Sequence, residues 1–190
     1  SAATGALTIS SMTTSGKVNV NGGSANDTIT LGAATAAGSL IYGGKGGDAV
    51  TITSATNAET LVYKAATDSL IDVSADATKT TMDVITGFGT NDIVDVSSFG
   101  FTANQKGAIV YATSAAGVAK VLEAANAGAA TWYNDASATA RAVKLVSDGT
   151  DGYLFVDANK DGQFSASSDL VIKLVGVDLA SEFALANVAF

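Results

Sequence analysis

The chain has 190 residues, 47% hydrophobic, 7% aromatic and only 15% charged, with 20 Gly and no Pro, Cys or His. Its 18 acidic residues against 10 basic ones give a formal charge of −8, which argues against a nucleic-acid partner and suits divalent cations. Without Cys or His, disulfides, thiolate sites, zinc proteases and Ser-His-Asp or Cys-His hydrolases are excluded, while a carboxylate-only enzyme of the glycosidase type stays open.

Residues 1–75 carry apolar doublets at Leu7/Ile9, Val18/Val20, Ile29/Leu31, Leu40/Tyr42, Val50/Ile52 and Leu61/Tyr63, with starts 11, 11, 11, 10 and 11 apart. Side chains on a strand alternate faces, so each doublet reads as an inward-outward-inward fragment. Strands of about four residues cannot bury such a row alone, and stacked neighbours must cover it. The expected fold is mainly all-β: a parallel β-roll or β-helix over 1–75, then an antiparallel β cap with one short α-helix over 76–190. No run of about 18 apolar residues spans a bilayer, and no basic-then-apolar leader opens the chain. It starts in mid-pattern, so it is expected to be a piece of something longer.

If strands alternate between two facing sheets, the turns sort onto two edges. Turns 10–16, 32–38 and 53–59 are rich in Ala, Ser and Thr, whereas 21–27 and 43–48 carry double glycines and an aspartate. In the first of these, Gly22, Gly23, Ser24, Asn26 and Asp27 are candidate metal ligands; in the second, Gly43, Gly44, Lys45, Gly46 and Asp48. Glycine permits the left-handed backbone that turns carbonyl oxygens to one side, and aspartate adds a hard carboxylate, the chemistry that Ca²⁺ takes. Gly and Asp also make ordinary tight turns. Asp68 reads either as an extension of such a site or as a solvated turn acid.

Further along, 83–96 reads as two strands around a Gly-rich turn, with Asp83, Asp92 and Asp95 accepting backbone N–H groups. The spacing predicts a helix over 114–128, capped by Ser114, with Val118, Val121, Leu122 and Ala125 on one face, ended by Gly128 and lying as a lid on the sheet. Trp132 and Tyr133 read as a core anchor. Strands are expected near 142–146, 153–156 and 170–175. Between the last two, Asp157, Asn159, Asp161 and the Gln163 carbonyl fall at positions 1, 3, 5 and 7 of an EF-hand-like loop, with Gly162 at its sharp turn. Position 12 is Ser168, with Asp169 one step late. The loop reads as a calcium site or as a polar hairpin.

The segment Gly43-Gly44-Lys45-Gly46-Gly47-Asp48-Ala49-Val50-Thr51 resembles the G-G-x-G-x-D-x-U-x nonapeptide of repeats-in-toxin (RTX) proteins at every fixed position. Gly22-Gly23-Ser24-Ala25-Asn26-Asp27-Thr28-Ile29-Thr30 departs from it only at Ala25. Residues 83–99 are similar to the aspartate-bracketed strand pair of serralysin-type C-terminal domains. The Ala/Thr-rich style, the single Ala-rich helix, and Gly152–Asp157 leading to Asp169–Gly176 look closer to bacterial surface-layer (S-layer) proteins. The resemblance implies a non-enzymatic, calcium-binding C-terminal domain of an extracellular, cell-surface protein. Its partners would be calcium ions, the type I secretion machinery read by an uncleaved C-terminal signal, and further copies in a lattice. A secretion and folding module of an RTX protease, lipase or large adhesin is the alternative, and a β-helical polysaccharide enzyme a third.

Overall fold

The fold is written in parity: wherever an apolar residue recurs at every second position, a short strand forms, and successive strands alternate between two sheets. In the computed structural model, which describes residues 5–12, 15–32, 37–54, 56–71, 81–114, 117–178 and 180–190, eight strands do this. They are β1 (Thr8–Met12), β2 (Asn19–Gly23), β3 (Thr28–Leu31), β4 (Ser39–Gly44), β5 (Ala49–Ile52), β6 (Glu59–Val62), β7 (Asp83–Thr86) and β8 (Ile93–Asp95). Odd strands pair parallel in one sheet and even strands parallel in the other, so each consecutive pair makes one rung. The registers stack Ile9, Ile29, Val50 and Ile85 in one column, and Val20, Ile41, Leu61 and Val94 in the facing one. These residues and their neighbours form the core between the sheets.

Two expectations are corrected. Leu40 and Tyr42 do not point inward: Ile41 is 1% exposed while Leu40 is 42% exposed. The doublet of β4 is Ser39/Ile41, because Ser39 stacks in register with Glu59 and accepts the Val18 N–H through its hydroxyl at 3.1 Å. Second, 83–96, which does hold two strands around a Gly-rich turn, is not part of an antiparallel cap. Its two strands fall in different sheets and continue the parallel stacks as a fourth rung. The Gly-rich turn between them is a rung turn, with Gly87 at φ +80° and no room for a Cβ against the Ile52 carbonyl.

Beyond the rungs come β9 (Val110–Thr113), α1 (Val118–Ala127), β10 (Val143–Ser147), β11 (Gly152–Val156), β12 (Leu170–Val175) and β13 (Val188–Ala189). β12 joins the long sheet parallel to β7, β11 and β10 follow antiparallel, and β9 closes the edge parallel to β10. β13 adds to β8, bringing the C-terminal residues into the short sheet, where Phe190 meets Phe101 edge to face. Every residue of β11 is buried because its outer face is covered too. A second core forms there from Trp132, Tyr133, Tyr153, Phe155 and Phe164 beneath Val121 and Ala125 of α1. The expected anchor and lid are therefore present. The helix starts later than expected, at Val118, with Gly117 as its N-cap residue and its N–H donated to Asp148 Oδ2 at 3.1 Å rather than a Ser114 cap. Residues 115 and 116 of the expected span lie outside the described residues. Gly128 ends the helix as expected, donating to the Ala124 carbonyl.

The corrected parity gives the first expectation. Ile41→Ala should cost about 2–5 kcal/mol in chemical denaturation, as deletion of a fully buried side chain does, and Leu40→Ala well under 1 kcal/mol. Equal losses would mean that β4 is one residue out of register.

Candidate metal sites

The residue two positions before the first core side chain of a strand shares its parity and faces inward. In this chain that residue is repeatedly an acid: Asp27 before Ile29, Asp48 before Val50, Glu59 before Leu61, Asp83 before Ile85 and Asp92 before Val94. All five are at most 2% exposed. Each aspartate accepts the amide of the corresponding residue one rung earlier. Leu7 N–H donates to Asp27 Oδ1 (2.6 Å), Asp27 N–H to Asp48 Oδ1 (2.8 Å), and Asp48 N–H to Asp83 Oδ1 (2.8 Å). On the other edge Glu59 N–H donates to Asp92 Oδ1 at 2.9 Å. The ladder of inward acids was missed in the sequence, although the acid-x-apolar spacing that marks it was there to read.

The two glycine-rich turns stack on one edge, as expected. Lys45 N–H donates to the Gly23 carbonyl (2.9 Å) and Gly47 N–H to Asn26 Oδ1 (3.0 Å). The Ser24 and Lys45 side chains are exposed, so what these residues bring to the interior of the edge is backbone. The other oxygen, Oδ2, of both Asp27 and Asp48 is buried without a hydrogen-bond partner. A Cβ on Gly22 would collide with Asp27 Oδ2 and with the Gly43 carbonyl oxygen, and one on Gly43 with Asp48 Oδ2. Gly44, at φ +99°, lies against the Gly23 carbonyl, and Gly46, at φ +116°, against the Ala25 carbonyl and Asn26 Oδ1. The glycines thus hold open a cradle in which orphaned carboxylate oxygens and carbonyls converge. At the third level the orphan is filled: Tyr63 O–H donates to Asp83 Oδ2 at 3.0 Å, and Ser69 Oγ accepts the Asp83 N–H. Asp68 is neither solvated nor part of the cradle; it is buried and accepts the Lys64 and Ala65 N–H groups.

The 157–169 segment links β11 to β12 and closes around two buried acids. Asp157 accepts the Asp161 N–H (3.1 Å) and the Gly162 N–H (3.0 Å), with Gly162 at φ +76° as expected. Asn159 Oδ1 accepts from Asp161, and Asp161 Oδ1 from Gln163 at 2.7 Å. Asp169, in place of position 12, ties the ends together by accepting the Ala158 and Ser165 N–H groups. Burial and then the charge of Asp161 raise the Asp157 carboxyl above its ordinary value. The Gln163 side chain is exposed.

Among the described residues no ion pair neutralises either set. The three ion pairs among the described residues, Lys120–Glu123, Arg141–Asp135 and Lys173–Asp151, lie elsewhere. Also among the described residues, no three acidic side chains stand close enough to hold an ion by themselves. An ion here would need the backbone carbonyls as well. Burial, with Asp27 and Asp68 nearby, pushes the Asp48 carboxyl from 3.8 up to about 6. Burial and the charges of Asp157 and Asp161 push Asp169 to about 6. Burial and the Asp48 charge push Asp83 well above its ordinary value. Asp95, as expected, accepts a backbone N–H, from Ser97.

Compared with known proteins, the chain matches no protein-family model and no curated protein. None of the described helices is long and apolar enough to cross a membrane.

Carboxyls whose folded pKa is raised bind protons more tightly in the native state, so their stabilisation is present at low pH and lost as pH climbs through the folded value. In chelator, the melting temperature should therefore fall between about pH 4 and about pH 7. Asp135, held low by backbone N–H bonds and Arg141, works the other way and limits stability below about pH 4. A melting temperature flat or rising from about pH 4 to about pH 7 in chelator would contradict the buried ladder.

Proposed function

We propose that this chain is a calcium-stabilised structural domain, a β-roll-type coil with a β cap, from a secreted RTX-like protein of the bacterial cell surface. The observation that carries this reading is the glycine edge. Two buried aspartates each keep one oxygen without a partner, in cradles that only glycine backbone leaves open. A buried, unpaired carboxylate oxygen is costly, and a hard cation is the group that reverses the cost. Asp27, Asp48 and the carbonyls of Gly22, Gly23, Ser24, Gly43, Gly44, Lys45 and Gly46 would share the ions. The 157–169 loop supports a further site, since Asp157 already receives the amides of positions 5 and 6 and Asp169 draws the loop shut.

The physical consequence is a chain whose folding depends on its surroundings. Calcium sites of extracellular modules have dissociation constants of about 10⁻⁴–10⁻³ M, so the ladder would stay uncompensated at low calcium and close where calcium is plentiful. That behaviour suits export of an unfolded chain by the type I route and folding outside the cell, without catalysis. For self-association, β1 and β9 are the edge strands of the long sheet among the described residues.

At calcium about 100-fold above its dissociation constant, each site should add about 2.7 kcal/mol. Asp48→Asn keeps an acceptor for the Asp27 amide and removes the charge; it should abolish most of the calcium-induced rise in melting temperature at the glycine edge. The loop is read separately with Tb³⁺, excited through Trp132, which packs on Phe164 of that loop. Sensitised emission should appear in the parent and vanish in Asp161→Asn. No rise in melting temperature with millimolar calcium, or a rise that survives both substitutions, would reject the calcium reading.

A further inference from the structure

On the edge opposite the glycines, the ladder ends in a pair of acids for which the calcium reading has no use. Glu59 is 0% exposed, and neither of its carboxyl oxygens meets a hydrogen-bond donor. It stands beside Asp92 of the next rung, 1% exposed, in the register that pairs Thr60 with Ile93, and its own N–H donates to the Asp92 carboxylate. Both oxygens of Asp92 are already occupied by amides: Oδ1 by Glu59 N–H and Oδ2 by Gly89 N–H, each at 2.9 Å. The segment preceding Glu59, residues 53–58, contains no glycine. The residue stacked below Glu59 is Ser39, and Lys17 lies exposed beside the neighbouring Gly38. No ion pair among the described residues includes either acid.

Two carboxylates cannot both stay charged in contact and out of water. A cation of calcium size needs six to eight oxygens, and this enclosure offers few. The geometry points to a shared proton: Glu59 is a carboxylic acid that donates its O–H to Asp92, fastening the third rung to the fourth and opening when the proton leaves. This is a proton-held clasp, distinct from the glycine edge and independent of it. Burial, then the neighbouring Asp92, lifts the Glu59 carboxyl from 4.5 to about 7. Since the raised value belongs to the folded state, the clasp is complete below the ordinary value and is lost as pH rises through about 7.

The chain has three glutamates, Glu59, Glu123 and Glu182, so side-chain ¹³C-glutamate labelling gives three carboxyl signals to follow by NMR. In the full chain at constant millimolar calcium, one signal should inflect near 7 and be absent from Glu59→Gln, whose amide mimics the protonated acid. The variant should melt with the parent at about pH 5.5 and above it at about pH 8, because the amide cannot lose the contact. Inflection of Glu59 near its ordinary value would overturn the clasp. So would a titration that appears in chelator and disappears on adding calcium, which would place an ion between the two acids. The result does not depend on whether calcium binds the glycine edge: failure there leaves the Glu59 inflection in place.

Discussion

The structure depends on one interaction, repeated at five of the strand entries: a polar side chain there accepts the amide of the residue stacked beneath it. A short strand entered from a turn begins with an N–H that its own sheet does not use. Burying that group unpaired costs free energy comparable to a lost hydrogen bond. Asp27, Ser39, Asp48, Asp83 and Asp92 each supply the acceptor for the rung before. The service runs in one direction along the chain, so a rung is completed only when the next has been laid upon it. It also explains why an acid is tolerated inside: a carboxylate oxygen accepting an amide has recovered part of what dehydration took away. The second oxygen is the remaining problem, and the ends of the ladder show the ways it is solved without an ion. At Asp83, the last acid of its column, the Tyr63 hydroxyl fills the second oxygen and the Ser69 hydroxyl receives the final amide.

Beyond the fourth rung the same sheet changes character. The rung strands alternate buried and less buried residues, because only one face is covered, whereas β11 is buried throughout. The difference comes from the second core. Trp132 stands edge-on to Phe155 at 5.1 Å, Phe155 edge-on to Phe164 at 5.2 Å, and Lys144 lies 3.6 Å above the Trp132 ring. The aromatic layer therefore begins where the rungs stop, and Phe164 connects it directly to the acid loop. β13 performs the corresponding service for the short sheet. Asn187 donates to the Thr90 and Asp92 carbonyls, and Phe183 is fully buried beside Phe88, so the last residues are part of the core rather than an appendage.

Much of this was legible where one parity carried all the apolar residues. Ile29/Leu31, Val50/Ile52 and Leu61/Tyr63 could be placed inward from spacing alone, and they are buried. Ser39-Leu40-Ile41-Tyr42 defeats that reading because apolar residues occupy both parities. Only the stacking of Ser39 between Val18 and Glu59 chooses Ile41, and stacking is not a local property. Residues 83–96 misled for a related reason: a Gly-rich turn between two apolar runs is written alike whether the strands pair with each other or leave for separate sheets. At 157–169 the sharp turn at Gly162 was readable, because the hydrogen bonds that shape it are short-range. The helix start was not, since Gly117 is held by Asp148, 31 residues away.

The two edges of the rungs show how surroundings, rather than residue type, decide what a buried acid can do. Asp48 and Glu59 occupy equivalent positions, each inward, each at the entry to a strand, each beside another acid in the next rung. Around Asp48 the turns are glycine, carbonyl oxygens crowd the space a side chain would fill, and the turn tips are exposed. A multivalent cation could enter there and complete its shell from the backbone. Around Glu59 the turn has side chains on every residue, the carboxyl is sealed, and the neighbouring carboxylate has both oxygens engaged. On the proposals above, one register position would serve a metal ion on one edge and a proton on the other, and what separates them is the turn before each acid: glycine-rich before Asp48, without glycine before Glu59.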